Sequence, residues 1–287
     1  MDSWLALIAV CSGFCFALAL VLTQFGLRTA EPLTGAGIAV PTTAVLFILL
    51  SPLSVDWAAW HTDSALLFAA AGVFFPVAVT LLTFSANQLI GPNLTGTLGN
   101  VTPLFAVGFA VLLLGEVPNG EQWLGIAAIC AGIAMLFVGR SNGVPAPALW
   151  ALGLPLGAAL IRGVVQPVVK MGLVDWPNPF AAATIGYGVS ALVMAAVLMS
   201  RRHEWSVPPR TGLLWFIAVG LTNGAAVLLL YMALARGPVT IVAPLVACYP
   251  LITLVLNRCF LGRSRLAPVA IAGILISVLG VGLLLRS

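Results

Sequence analysis

Two stretches decide how this chain is read: GPNLTGTLGNVTPLFAVGFAVLLLGE at residues 91–116 and GPVTIVAPLVACYPLITLVLNRCFLGR at residues 237–263. Each opens on Gly-Pro (Gly91-Pro92, Gly237-Pro238) and carries a proline in mid-run (Pro103, Pro250). Each closes on a glycine twelve residues past that proline, Gly115 and Gly262. Further out the likeness continues. Trp4 precedes Gly26-Leu27 by 22 residues and Trp150 precedes Gly172-Leu173 by the same 22, while Pro32 and Pro179 each open the next run. All these pairs share an offset of 146 or 147 residues. A match carried by Trp, Pro and Gly marks an internal repeat and not the general likeness of Leu- and Ala-rich sequence. The halves are residues 1–141 and 146–287, joined near Ser141-Asn142-Gly143.

The repeats lie in a membrane. Of 287 residues, 61% are apolar and 7% charged, against about 45–50% and about 25% in soluble domains. Twelve Lys+Arg and eight Asp+Glu could not cover a water-facing surface. Disorder is excluded by the same apolar excess. A net charge of +4 without a dense basic cluster excludes nucleic acid as a partner. The five cysteines (Cys11, Cys15, Cys130, Cys248, Cys259) sit in apolar runs with no C-x-x-C pair, which argues against disulfides or a zinc site. The first apolar run has no basic flank and no small-x-small cleavage site, so it reads as a spanning helix and not a signal.

A bilayer core of about 30 Å takes roughly 20 helical residues. Ten runs of that order follow one another: Trp4 to Leu27, Leu33 to Leu53, Ser64 to Leu89, Asn93 to Leu114, Gln122 to Val138, Pro147 to Lys170, Pro179 to Met199, Gly212 to Ala235, Val239 to Leu261 and Leu266 to Leu285. Bends are expected at Gly91-Pro92 and Gly237-Pro238. The runs lack the alternation of a membrane barrel, so the fold class is an all-α membrane protein of ten transmembrane helices. With five helices per repeat the second copy enters the bilayer from the opposite side. Inverted repeats around a midplane site characterise secondary transporters.

Ten helices as 5+5, a fourth closing on Leu113-Leu114-Gly115-Glu116, a Gly-rich fifth, and Tyr231-Met232-Ala233-Leu234 before the Gly237-Pro238 bend resemble the EamA-like members of the drug/metabolite transporter superfamily. The resemblance covers the whole chain. It departs from the pattern where the second repeat has Gly262-Arg263 against Gly115-Glu116 in the first. It implies a bacterial inner-membrane exporter, with exporters of amino acids, the aromatic ones included, as the nearest likeness. Related small multidrug pumps hold a carboxylate in mid-helix 1. Here helix 1 offers only Ser12, Thr23 and Gln24, and all eight acidic residues fall at run ends or in turns. A cation-exporting proton antiporter of that kind is therefore disfavoured.

The basic residues point elsewhere. Arg162 lies mid-run in the sixth helix, with Gln166 and Lys170 following at i+4 and i+8. A central Arg costs about 2.5–3.5 kcal/mol on insertion scales and so faces protein or water. It either meets a substrate carboxylate through a bidentate fork or is pinned to backbone carbonyls. Asn93, Thr97 and Asn100 on helix 4, and Tyr249, Thr253 and Asn257 on helix 9, form polar stripes that line a cavity or bind helix to helix. Thr80, Thr83 and Asn87 on helix 3, and Asn223 and Tyr231 on helix 8, are weaker candidates of the same kind. Pro103, which frees a carbonyl near Gly99, and Pro250 are the expected hinges, together with Gly91, Pro92, Gly237 and Pro238. The only histidines, His61 and His203, lie in loops. No intramembrane His, paired mid-membrane Asp or H-E-x-x-H motif is present to support an enzyme.

The expectation is a monomeric exporter of neutral or aromatic amino acids, working by alternating access without an obligatory proton, a cofactor or a metal. The alternatives are a multidrug or organic-anion exporter of the same superfamily, or a channel-like pore. Orientation stays open. Arg28, Arg140, Arg201, Arg202, Arg210, Arg263 and Arg265 flank the turns after odd helices, with Arg258 close to that side, against Lys170, Arg236 and Arg286 opposite. That places the odd turns in the cytoplasm, whereas the resemblance implies that both termini are cytoplasmic.

Overall fold

The computed structural model describes residues 3–99, 101–138, 149–202, 208–249, 251–253, 255–256 and 268–286. Hydrocarbon leaves no water to pair backbone groups, so each apolar run must close its own hydrogen bonds as a helix. Among the described residues there is no strand. The helices in chain order are α1 (Ser3–Gly26), α2 (Pro32–Ser54), α3 (Thr62–Phe74), α4 (Val77–Gly99), α5 (Thr102–Leu114), α6 (Gly120–Val138), α7 (Gly153–Asp175), α8 (Pro179–Ser200), α9 (Arg210–Arg236), α10 (Val239–Val246) and α11 (Pro268–Arg286). The described residues within 251–256 are helical as well.

Among the described residues six stretches are long and apolar enough to cross a membrane: Trp4–Gly26, Pro32–Ser54, Thr62–Ile90, Trp150–Asp175, Pro179–Ser200 and Arg210–Arg236. Thr102–Leu114, Val239–Thr253 and Ile271–Leu284 are shorter apolar helices, and α6 completes the ten. The fold is an all-α membrane protein of ten helices in two inverted five-helix repeats. Trp4 and Trp150, one at the head of each repeat, are 66% and 64% exposed, as aromatic anchors at a membrane interface are.

One boundary differs from expectation. The backbone does not bend at Gly91-Pro92, because α4 is helical through both residues. The chain breaks on either side instead. Phe75 is extended, with φ −124° and ψ 130°; the ring of a following proline, here Pro76, excludes the helical region for the residue before it. The second break precedes α5, at Val101. Inside a bilayer a helix that loses one N–H to proline is less costly than a turn exposing several unpaired groups. The third and fourth runs are thus shared among α3, α4 and α5. At Gly237-Pro238 the expected bend is present, since α9 ends at Arg236 and α10 begins at Val239.

The two halves pack as inverted copies down to single contacts. The Phe68 ring of α3 seats against Gly172 of α7, and the Phe216 ring of α9 seats against Gly26 of α1. Both rings are fully buried. A Cβ on Gly72 would run into the Gly186 carbonyl, and one on Gly220 would run into the Ala39 carbonyl. These pairs are related by the repeat offset to within a residue, and each joins a helix of one half to a helix of the other. Near the two prolines the hydrogen bonds themselves repeat. Val101 N donates to Leu98 O (3.4 Å) and Leu104 N to Val101 O (3.0 Å); Cys248 N donates to Leu245 O (3.2 Å) and Leu251 N to Cys248 O (3.0 Å). Both helices therefore loosen at the same place in the repeat, two residues before the proline of each.

Candidate functional site

Between the halves lies a cavity of about 140 Å³, walled by α1, α2, α4, α5, α7, α9 and α10. One water needs roughly 10–15 Å³, so this space holds about ten waters or one small organic molecule. Its wall is mainly apolar and rich in rings, with Phe16, Phe75, Phe84, Tyr231 and Tyr249 among the lining residues. The Phe16 and Tyr249 rings lie 6.4 Å apart.

Arg162 and Gln166, one turn apart on α7, bring the strongest polar groups to this wall. Small and β-branched neighbours shape the helix here. Gly163 sits so close to Phe105 and Ala106 of α5 that no side chain would fit, which brings the two halves together beside the guanidinium. Arg162 Nη2 donates to Thr83 Oγ1 at 3.3 Å, and among the described residues no carboxylate pairs with it. Gln166 is 9% exposed, and its Oε1 has no hydrogen-bond partner. A buried amide oxygen left unpaired costs about 1–3 kcal/mol, which makes it a ready acceptor for a bound donor. Across the cavity Asn223 Nδ2 donates to Tyr187 Oη at 3.1 Å. Tyr187 is buried behind the wall and packs edge-on to Phe47. Thr23 and Thr102 also line the space, but their hydroxyls donate to Ala19 O and Gly99 O of their own chain segments.

Of the residues singled out by sequence, Arg162, Gln166, Asn223, Tyr231, Tyr249, Thr80, Thr83 and Pro103 come together on this one cavity. Thr253 is buried elsewhere, donating to Tyr249 O at 3.0 Å. Asn100, Pro250 and Asn257 lie outside the described residues, as do the side chains of Asn87, Gly91, Pro92, Asn93 and Thr97. Pro103 stands in the first turn of α5, just after the break, and the Gly99 carbonyl it was expected to free is taken by Thr102. Gly237 packs under Leu5 of α1, and Pro238 precedes the first turn of α10.

Sequence reasoning missed Phe16, Phe75 and Phe84, three rings among fourteen phenylalanines with no periodic mark of their own. It also missed what Lys170 and Glu116 do. Lys170 Nζ donates to Leu234 O (2.6 Å) and Gly237 O (3.1 Å) at the end of α9. Glu116 accepts from Val239 N and Thr240 N, each at 2.9 Å, through its two carboxylate oxygens.

The model of the EamA-like transporter family matches this chain twice, over residues 3–138 and over residues 149–286. No curated protein matches it. Among solved structures, a crystal structure described only as that of a protein is similar at 18% identity and a TM-score of 0.78, covering 99% of this chain and 96% of that one. At that identity the likeness concerns the fold.

Proposed function

Because the chain belongs to the EamA-like transporter family, a family of membrane transporters, we propose that it exports a small carboxylate-bearing metabolite, a neutral or aromatic amino acid. The observation that carries this reading is the pairing on α7 of Arg162, whose guanidinium has no carboxylate partner among the described residues, with Gln166, whose amide oxygen is buried and unpartnered, two residues that both line one aromatic-walled cavity. Arg162 holds the substrate carboxylate through its fork, Gln166 Oε1 accepts from the ammonium, and the rings cover the side chain. The two halves, 1–141 and 146–287, rock about the cavity to expose it to each face in turn, with the loosened helix segments before Pro103 and Pro250 taking up the movement. The protein works as a monomer in the bacterial inner membrane. Among the described residues no acidic one lines the cavity, so export is not tied to a proton.

That same absence favours a second reading, an organic monocarboxylate without an ammonium group. One panel in proteoliposomes separates the two: an aromatic amino acid, its amide, and its deaminated acid, with no pH gradient or membrane potential imposed. The amino acid is expected to move fastest and the amide slowest, and Arg162→Lys should slow both acids while leaving the amide unchanged, since a point charge cannot replace the fork. Equal loss for acids and amide makes Arg162 structural. Flux that stops without an inward proton gradient removes the uncoupled mechanism.

A further inference from the structure

The cavity ends differently toward the two membrane faces. Toward the face that holds the Gly237-Pro238 bend its last lining residues on α7, α9 and α10 are Gln166, Tyr231 and Ala243. About one turn further along these helices, roughly 6 Å, lie Lys170, Leu234 and Val239. Lys170 binds the carbonyls that end α9, and Glu116 binds the first N–H groups of α10. Each charge matches the helix end it meets, a cation on a C-terminus and an anion on an N-terminus. Gly115, left-handed at φ 65°, ends α5 and turns the chain so that Glu116 can reach across.

We propose that Glu116 and Lys170 form a latch that seals the cavity toward this face and biases the resting transporter to open toward the other. The inference rests on the transport reading of the cavity. Three observations carry it. The Glu116 bonds join α5, in the first half, to α10, in the second, so the halves cannot part on this side until both break. The latch lies directly beyond the cavity on three helices at once. Its two charges also have no counterpart in the sequence of the other copy. By the repeat offset Glu116 corresponds to Arg263, and a guanidinium has no acceptor to offer backbone N–H groups. Lys170 corresponds to Gln24, at the offset of 146 that relates Trp4 to Trp150 and Gly26 to Gly172, so a neutral amide stands there in place of a cation. Thr23, the residue before Gln24, lines the cavity, so toward the opposite face the open space comes within one residue of the level that the latch occupies here.

The test needs no substrate. A cysteine-free protein carrying Ala243→Cys, on the cavity wall of α10, is exposed to an impermeant maleimide from either face in vesicles of known orientation. Labelling is expected to be slow from the latch face and faster from the other. Glu116→Ala should raise the latch-face rate by about tenfold or more, the loss of two charge-assisted bonds. Glu116→Gln, which keeps one acceptor oxygen and the side-chain volume, should fall between, and Lys170→Met should move the rate in the same direction by less. Latch-face labelling that is unchanged in both Glu116 variants overturns the proposal, as does an equal rise from both faces, which marks general loosening. If the latch responds as expected while no member of the substrate panel is transported, the cargo assignment fails and the latch stands.

Discussion

α1 and α7 are the same helix of the repeat, and a difference between them bears on function. Each opens at an exposed tryptophan at or just before its first turn, each is seated by a buried phenylalanine pressed on a glycine of its last turn or near it, and each packs against helices of the other half. Their inward faces differ. Where α7 carries Arg162, Gln166 and Lys170, the offset of 146 that relates these two helices places Phe16, Leu20 and Gln24 on α1. Gly115-Glu116 and Gly262-Arg263 differ in the same way. The packing that, on the proposed transport reading, lets two states interconvert is kept in both copies, while the proposed binding groups and latch differ between them. A symmetric scaffold gives two states of nearly equal energy. Unequal side chains then decide what binds and which state rests.

The largest effect should come from the shared packing. Gly72 and Gly220 each face a backbone carbonyl of the partner half at a separation that admits no Cβ. Gly72→Val and Gly220→Val should each cost about 3 kcal/mol or more, the upper range for overpacked interiors, and should be read as lost thermal stability of the purified protein in detergent. Gly108→Ala, with nothing within 4 Å of its added carbon, serves as the control and should change little. A neutral Gly220→Val beside a damaging Gly72→Val would break the symmetry.

A smaller effect should separate two equivalent hydroxyls. Thr43 on α2 donates to Gly220 O at 2.6 Å, and Ser190 on α8 accepts from Val77 N at 3.1 Å. They stand 147 residues apart, yet one gives a hydrogen bond and the other takes one. A helix carbonyl that loses an extra donor keeps its place in the helix ladder, whereas Val77 N, in the first turn of α4, has no helix partner of its own. Ser190→Ala should therefore cost about 1–3 kcal/mol and Thr43→Val about 0.5–1 kcal/mol, measured in the same stability assay. The reverse order would show that these sites are not equivalent.

The sequence carried the repeat because Trp, Pro and Gly stand where helices begin, bend or come close, so their spacing repeats, whereas Leu and Ala recur along every run. Gly26 and Gly172 could be matched by counting. Their partners Phe68 and Phe216 could not, since a ring that fills a gap carries no pattern apart from the gap. Arg162 stood out because a mid-membrane charge is expensive. Glu116 and Lys170 were visible as charges at run ends, but their partners are backbone groups, identical at every position and invisible until the bend exists. The two Gly-Pro pairs show the same limit. Both read as bends, and the one fastened by Glu116 and Lys170 is a bend, while α4 runs on through Gly91-Pro92.

The smallest effect concerns Gln166 against its counterpart Leu20. Gln166 Oε1 is buried and has no hydrogen-bond partner, so replacing it with an apolar residue of similar size removes a cost as well as the proposed ligand contact. Gln166→Leu should leave thermal stability unchanged or slightly raised. Transport of a zwitterionic amino acid should weaken by roughly fivefold, the worth of one hydrogen bond of about 1 kcal/mol, through KM and not through the maximal rate. The deaminated acid, which has no ammonium to present, should lose nothing. Parallel loss for both substrates would mean that the amide holds the carboxylate alongside Arg162. A drop in stability would mean that Oε1 already has a partner in the resting protein, and that α7 and α1 differ at this position for packing and not for recognition.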